Sequence, residues 1–171
     1  GDNILECNLS AENLEAEGNV TISGDLEIEN KVEVEDGRLE VYGKMTAKHI
    51  DVDEALFVNK SLVSEEIDVG GSLKVDGTVE AEDIDVGGSL KAKGEVKVDR
   101  IDVGGSLLIE SKVDVKTLEV GGTAKVKGGR IYEIDVGGSF EASDQLEFES
   151  IDVGGTVHLS NKNKGRRIDV G

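Results

Sequence analysis

The 171-residue chain carries 37 acidic against 19 basic residues, a formal net charge of −18. That balance argues against DNA, RNA or an anionic membrane surface as its main partner, because gripping phosphates takes clustered Lys and Arg. Aromatics make up 3% of the chain, Trp and Pro are absent and Gly is abundant at 23, so the large side chains that fill an ordinary globule are missing and a thin interior of stacked Val, Ile, Leu and Ala is expected.

The organisation is a repeat. Residues 1–13, with apolar Leu5, Cys7 and Leu9, read as a partial first coil or N-terminal cap. Weaker repeat units open at Leu14 and Val32, and Ile50-Asp51-Val52 opens the next. The string Ile-Asp-Val-Gly-Gly starts at Ile67, Ile84, Ile101, Ile134 and Ile151, with Leu-Glu-Val-Gly-Gly at Leu118. Ile168-Asp169-Val170-Gly171 begins the string again. The starts are 18, 18, 17, 17, 17, 17, 16, 17 and 17 residues apart. Residues 14–167 therefore hold the repeats and 168–171 an incomplete coil, about nine coils in one domain.

Within a unit the apolar residues alternate with polar ones. The unit from Ile67 has the pairs Ile67/Val69, Leu73/Val75 and Val79/Ala81; the unit from Ile101 has Ile101/Val103, Leu107/Ile109 and Val113/Val115. Each pair brackets one polar residue, as a short strand requires when one face is inside and the other wet. Three such strands per coil predict an all-β fold, a triangular β-helix or β-solenoid. A lone coil cannot bury its apolar positions, so each must stack on its neighbours. The unit from Ile50 turns Phe57 and Val63 outward, and the unit from Leu118 is one residue short, with Lys127-Gly128-Gly129-Arg130 distorting its third side. After Val157 and Leu159 the sequence turns polar through Asn161-Lys162-Asn163-Lys164, so the third side is lost there.

The glycine pairs, from Gly70-Gly71 to Gly154-Gly155, fall at one corner, where positive φ is expected. Asp76-Gly77 marks a second corner. No following helix or suitable Lys supports a phosphate loop. The outward residue of the Ile-Asp-Val strand is acidic in coil after coil: Asp51, Asp68, Asp85, Asp102, Glu119, Asp135, Asp152 and Asp169. A ladder of like charges is destabilising unless screened or paired. Two readings stay open: calcium bound by Asp68, Asp85, Asp102, Asp135 or Asp152, or an exposed stripe beside lysines such as Lys74, Lys91 and Lys125. The one dense basic stretch, Lys162, Lys164, Arg166 and Arg167, reads as a solvated loop.

No catalytic set is expected. His49 and His158 lie about six coils apart and Cys7 in another coil again, so neither a three-histidine zinc site nor a nucleophile–base pair is credible; no cofactor is implied. Cys7 forms no intrachain disulfide, which favours a reducing, cytoplasmic setting and a small buried residue. No apolar run approaches the ~18 residues of a membrane span, and membrane association is not encoded in these residues.

The stretch from Ile67 to Val103, with its Val-Gly-Gly-Ser-Leu step, an apolar-x-apolar pair and then Asp-Gly or Lys-Gly, resembles the bactofilins, a polymer-forming cytoskeletal family with a triangular β-helix core. The resemblance spans about Leu14 to Gly171. It implies a right-handed solenoid and a nucleotide-free filament made by end-to-end stacking. The physics allows the same, since a solenoid presents open strand edges unless capped. The expected self-association surface is Leu5, Cys7 and Leu9 at one end, and Val153, Val157, Leu159, Ile168 and Val170 at the other. The expected function is a self-associating scaffold; the alternative is a monomeric module whose acidic face binds cations or a basic protein.

Overall fold

A computed structural model describes all residues, 1–171. The chain is all-β, a solenoid of about ten turns with coils of roughly 17 residues. The first coils use separate strands: β1 (Asp2–Leu5), β2 (Leu9–Ala11), β3 (Leu14–Glu17), β4 (Asn19–Ile22), β5 (Leu26–Ile28), β6 (Lys31–Glu35) and β7 (Arg38–Val41). Strands then begin to run through one corner: β8 (Met45–Val52), β9 (Ala55–Val58), β10 (Leu62–Val69), β11 (Ser72–Val75), β12 (Val79–Val86), β13 (Ser89–Ala92) and β14 (Val96–Val103). In β15 (Ser106–Val120) and β16 (Thr123–Val136) a whole coil is continuous. β17 (Ser139–Ala142), β18 (Leu146–Val153), β19 (Thr156–Leu159) and β20 (Arg167–Val170) complete the stack.

All pairings are parallel, each strand with its equivalents one coil below and above. Three faces result. The first begins with β1 and β4, the second with β2 and β5, the third with β3 and β6. At ~4.8 Å per coil the stack is a rod roughly 45 Å long.

Alternation decides what is inside. The inward positions form columns of like residues, such as Ile67–Ile84–Ile101–Leu118 and Val69–Val86–Val103–Val120. Forty-four buried apolar residues make one continuous cluster along the axis, and matched columns of β-branched side chains suit this narrow interior. Size changes compensate within a column: Ala124 sits beneath Phe140, the largest fully buried side chain. Ser64 is the exception among buried positions. Its hydroxyl has the Lys48 and Glu66 carbonyls at 3.0 and 3.1 Å as acceptors, which satisfies it.

In residues 1–13, β1 and β2 pair in register with β4 and β5. Two sequence expectations change. Cys7 is exposed rather than buried, in the turn between β1 and β2. The glycine pairs keep negative or extended φ; positive φ among the glycines occurs at Gly18 and Gly129 only. Their role is close approach. A Cβ on Gly105 or Gly122 would lie 2.5 Å from the carbonyl oxygen of Gly88 or Gly105, one coil below. Meanwhile Gly105 N–H donates to Gly88 O, and Gly122 N–H to Gly105 O, both at 2.9 Å. The corner thus continues the hydrogen-bonded ladder, with no room for a side chain between coils.

The irregular coil lies where expected. Pairing of β15 with β16 shifts between Ile109 and Lys112, and Gly129 (φ 125°) occupies the inward position above Val113.

Candidate functional site: the acidic face and the open coil edges

The third face carries an unbroken column of carboxylates. Glu15 pairs with Glu33, Glu33 with Asp51, and Asp51 with Asp68; Asp85, Asp102, Glu119, Asp135, Asp152 and Asp169 follow in register. Glu15 and Glu33 were missed as members because their coils lack the Ile-Asp-Val string, although their alternation with Leu14/Ala16 and Val32/Val34 carries the signal.

The cations that meet this column come from the same face. Two residues before each rung lies a flanking row containing Lys31, His49, Glu66, Asp83, Arg100, Thr117, Glu133, Ser150 and Arg167. Lys31 pairs with Glu33 at 2.7 Å and reaches Asp51 at 4.0 Å. Its hydrogen bond with Glu33, helped by the charges of Glu33, Asp51 and Glu15, outweighs desolvation and holds the ammonium above its usual range. Arg100 meets Asp102 at 3.3 Å and Glu119 at 3.8 Å, and Arg167 meets Asp169 at 2.9 Å.

Between these cations lies an uncompensated stretch. Asp68 and Asp85 have no ion-pair partner, and the flanking row adds Glu66 and Asp83 beside them. Burial, and then the charges of Asp85, Asp51 and Glu66, push the Asp68 carboxyl above the usual carboxylate range. Glu66 has one partner, His49 Nδ1 at 3.1 Å. No three or more His, Cys, Asp or Glu side chains are grouped so as to hold a metal ion; the carboxylates stand in a row.

Lys74, Lys91 and Lys125 do not sit beside this column. They occupy the outward row of the first face, where Phe57, Lys74, Lys91, Leu108, Lys125, Glu141 and His158 follow one another. Lys74 Nζ lies over the Phe57 ring at 5.4 Å from its centroid, and Tyr42 meets that ring edge-on. Lys125 pairs with Glu141 at 3.3 Å. The second face is arranged differently again. Its outward row runs Glu80, Lys97, Asp114, Arg130, Glu147, Lys164, alternating in sign, so each rung neutralises its neighbours.

At the two ends of the stack the strands pair on one edge only: β1, β2 and β3 at one, β19 and β20 at the other. Leu5 is 37% exposed, Ile168 50% and Val170 47%; Leu9, Val157 and Leu159 are half-buried. Val153 lies one rung inside, fully buried beneath Val170. At this end the second face closes differently. Residues 160–166 fold over Phe148, with Lys164 N–H donating to Leu146 O and Phe148 N–H to Lys164 O, both at 2.9 Å. Gly165 rests directly on the Phe148 ring, where a Cβ would overlap it. Arg166 pairs with Glu149 and Arg167 with Asp169, so two members of the basic stretch are fixed to carboxylates.

Cys7, His49 and His158 stay in separate coils, and both histidines are exposed. Comparison with known proteins adds no relative: no family model, no curated protein and no solved structure matches this chain. The fold itself defines the class, a β-solenoid repeat protein.

Proposed function

We propose that this chain is a structural scaffold that self-associates by stacking its coils end to end, in a bactofilin-like, cytoplasmic role without catalysis. The observation that carries this reading is the stack itself, in which each coil pairs in parallel register with the next and buries its apolar columns against it. Strands at both ends of the stack lack a partner on one side and leave inward-type side chains, Ile168 and Val170 above all, half exposed. Another copy continues the ladder and covers them, as each coil does for the one below. The repeat's likeness to bactofilins supports the same reading. The test is negative-stain electron microscopy of the parent and of Ile168→Asp/Val170→Asp. Both residues are about half exposed, and circular dichroism checks that the coil beneath them, with Ile151 and Val153, stays folded. The parent forms narrow filaments or short oligomers and the variant single rods of roughly 45 Å; equal filaments from both contradict end stacking.

A second reading is favoured by a separate observation, the uncompensated carboxylates around Asp68 and Asp85. In it the third face is a binding surface for cations or for a basic protein surface. Calcium titration against chelator, read by thermal melting, checks the cation half: a stabilisation reversed by chelator supports it, and superimposable melts oppose it.

A further inference from the structure

The three faces treat charge in three ways, and two of them are complementary. The second face alternates in sign from Glu80 to Lys164, with Arg130 ion-paired to Glu147. The third face is acidic at every rung and unpaired at Asp68 and Asp85. The first face carries Lys74 and Lys91 on adjacent rungs with no carboxylate partner. These lysines belong to the same two coils as the unpaired aspartates, one strand further along the chain.

We infer that the acidic third face is a docking surface for the lysine-bearing first face of a second copy of this chain, so that rods also associate side by side. The inference rests on the acidic-face reading above and names its partner; it does not depend on end stacking. Three features support it. Both faces are parallel sheets with the same ~4.8 Å rung, so Lys74 and Lys91 on adjacent rungs match the spacing of Asp68 and Asp85. The first face flanks its lysines with the small row Ser72, Ser89 and Ser106, so no bulky neighbour crowds them on that side, and Lys74 rests over the Phe57 ring without a carboxylate partner. The edge shared by the two faces is, from Gly70-Gly71 to Gly154-Gly155, a corner of glycine pairs without side chains to hold rods apart. The contact is heterologous: the first face of one copy uses the third face of the next, leaving further faces free to continue.

The overall charge of −18 opposes any approach at low salt, where repulsion reaches far. Screening shortens that reach to ~8 Å at 0.15 M and ~3 Å at 1 M. Side-by-side association therefore peaks at intermediate salt and fades at high salt, unlike apolar end stacking, which salt does not weaken.

The test is sedimentation velocity across salt on three chains: the parent, Lys74→Glu/Lys91→Glu, and Asp68→Lys/Asp85→Lys. All four positions are outward, so folding is retained, which circular dichroism checks. Each variant alone presents like charges on both faces and associates roughly tenfold or more weakly than the parent. An equimolar mixture of the two restores opposite charges across the contact and recovers association. Variants that associate like the parent, or a mixture that stays dissociated, overturn the inference. A decalysine peptide separates this failure from failure of the acidic-face reading. Peptide that binds the parent but not Asp68→Lys/Asp85→Lys, alongside a dissociated mixture, leaves the acidic face standing with a different partner. Peptide that binds neither removes both.

Discussion

Asp68 and Asp85 stand opposite one another on adjacent rungs of the third face, and no Lys, Arg or His forms an ion pair with either. Elsewhere on that face Lys31, Arg100 and Arg167 each hold a carboxylate. Asp135 and Asp152 repeat the arrangement further along the face, so the chain keeps like-charge contacts at two places in the stack.

The first prediction concerns pH and this pair. Asp68's carboxyl titrates above the usual range in the folded chain, so the folded state takes up its proton more readily than the unfolded state. Its charge weakens the fold at neutral pH, and the penalty is relieved as pH falls through the raised value. Below the ordinary carboxylate range both states are protonated and the effect ends. Asp68→Asn is expected to be more stable than the parent at pH 7 by roughly a few tenths of a kcal/mol. The advantage shrinks toward zero as pH falls and as salt rises, measured by thermal melts. A constant advantage at every pH places its origin outside the charge.

The second prediction tests the inward column. Val103 is fully buried at mid-rod, so Val103→Asp places an unpaired carboxylate in the core and costs several kcal/mol, on the order of 3–5. Loss of the cooperative far-ultraviolet transition is the expected result. The outward Asp85→Asn beside it leaves that transition in place.

The third prediction addresses the glycine corner. Gly105→Ala puts a methyl against Gly88 O, one coil below, and is expected to cost roughly 1–3 kcal/mol. Ser106→Ala, the next residue but exposed at a strand end, changes stability by less than about 0.5 kcal/mol. Equal melting of the two variants contradicts the close-approach account.

The fourth prediction is local. Gly165→Ala cannot keep the loop on the Phe148 ring, so amide exchange at Phe148 and Lys164 accelerates while protection at Val103 is unchanged. Uniform loss of protection would contradict a separate closing loop.

Most of the fold was legible because one rule repeats: alternation defines inside, and the Ile-Asp-Val string marks the coil. That rule located Val103, the outward Val63 and the short coil at Gly129. It weakened where Leu14 and Val32 lack the string, so the carboxylates of Glu15 and Glu33 were missed. Glycine's role was misassigned because sequence shows that a side chain is absent, not which carbonyl needs the space. The acidic column was visible, but its partners were not. Spacing in sequence suggested Lys74 and Lys91, whereas the corner at Gly70-Gly71 turns them onto another face. The true partners, Lys31, Arg100 and Arg167, lie two residues before a rung, a same-strand relation that alternation alone makes available.

The most direct test of the scaffold reading is the length of particles in negative stain as protein concentration rises, at salt high enough to suppress contacts between faces. End stacking predicts particles of constant width whose length grows in steps of one rod, roughly 45 Å, with Ile168→Asp/Val170→Asp remaining at a single step. Parent particles that stay one rod long at every concentration contradict it.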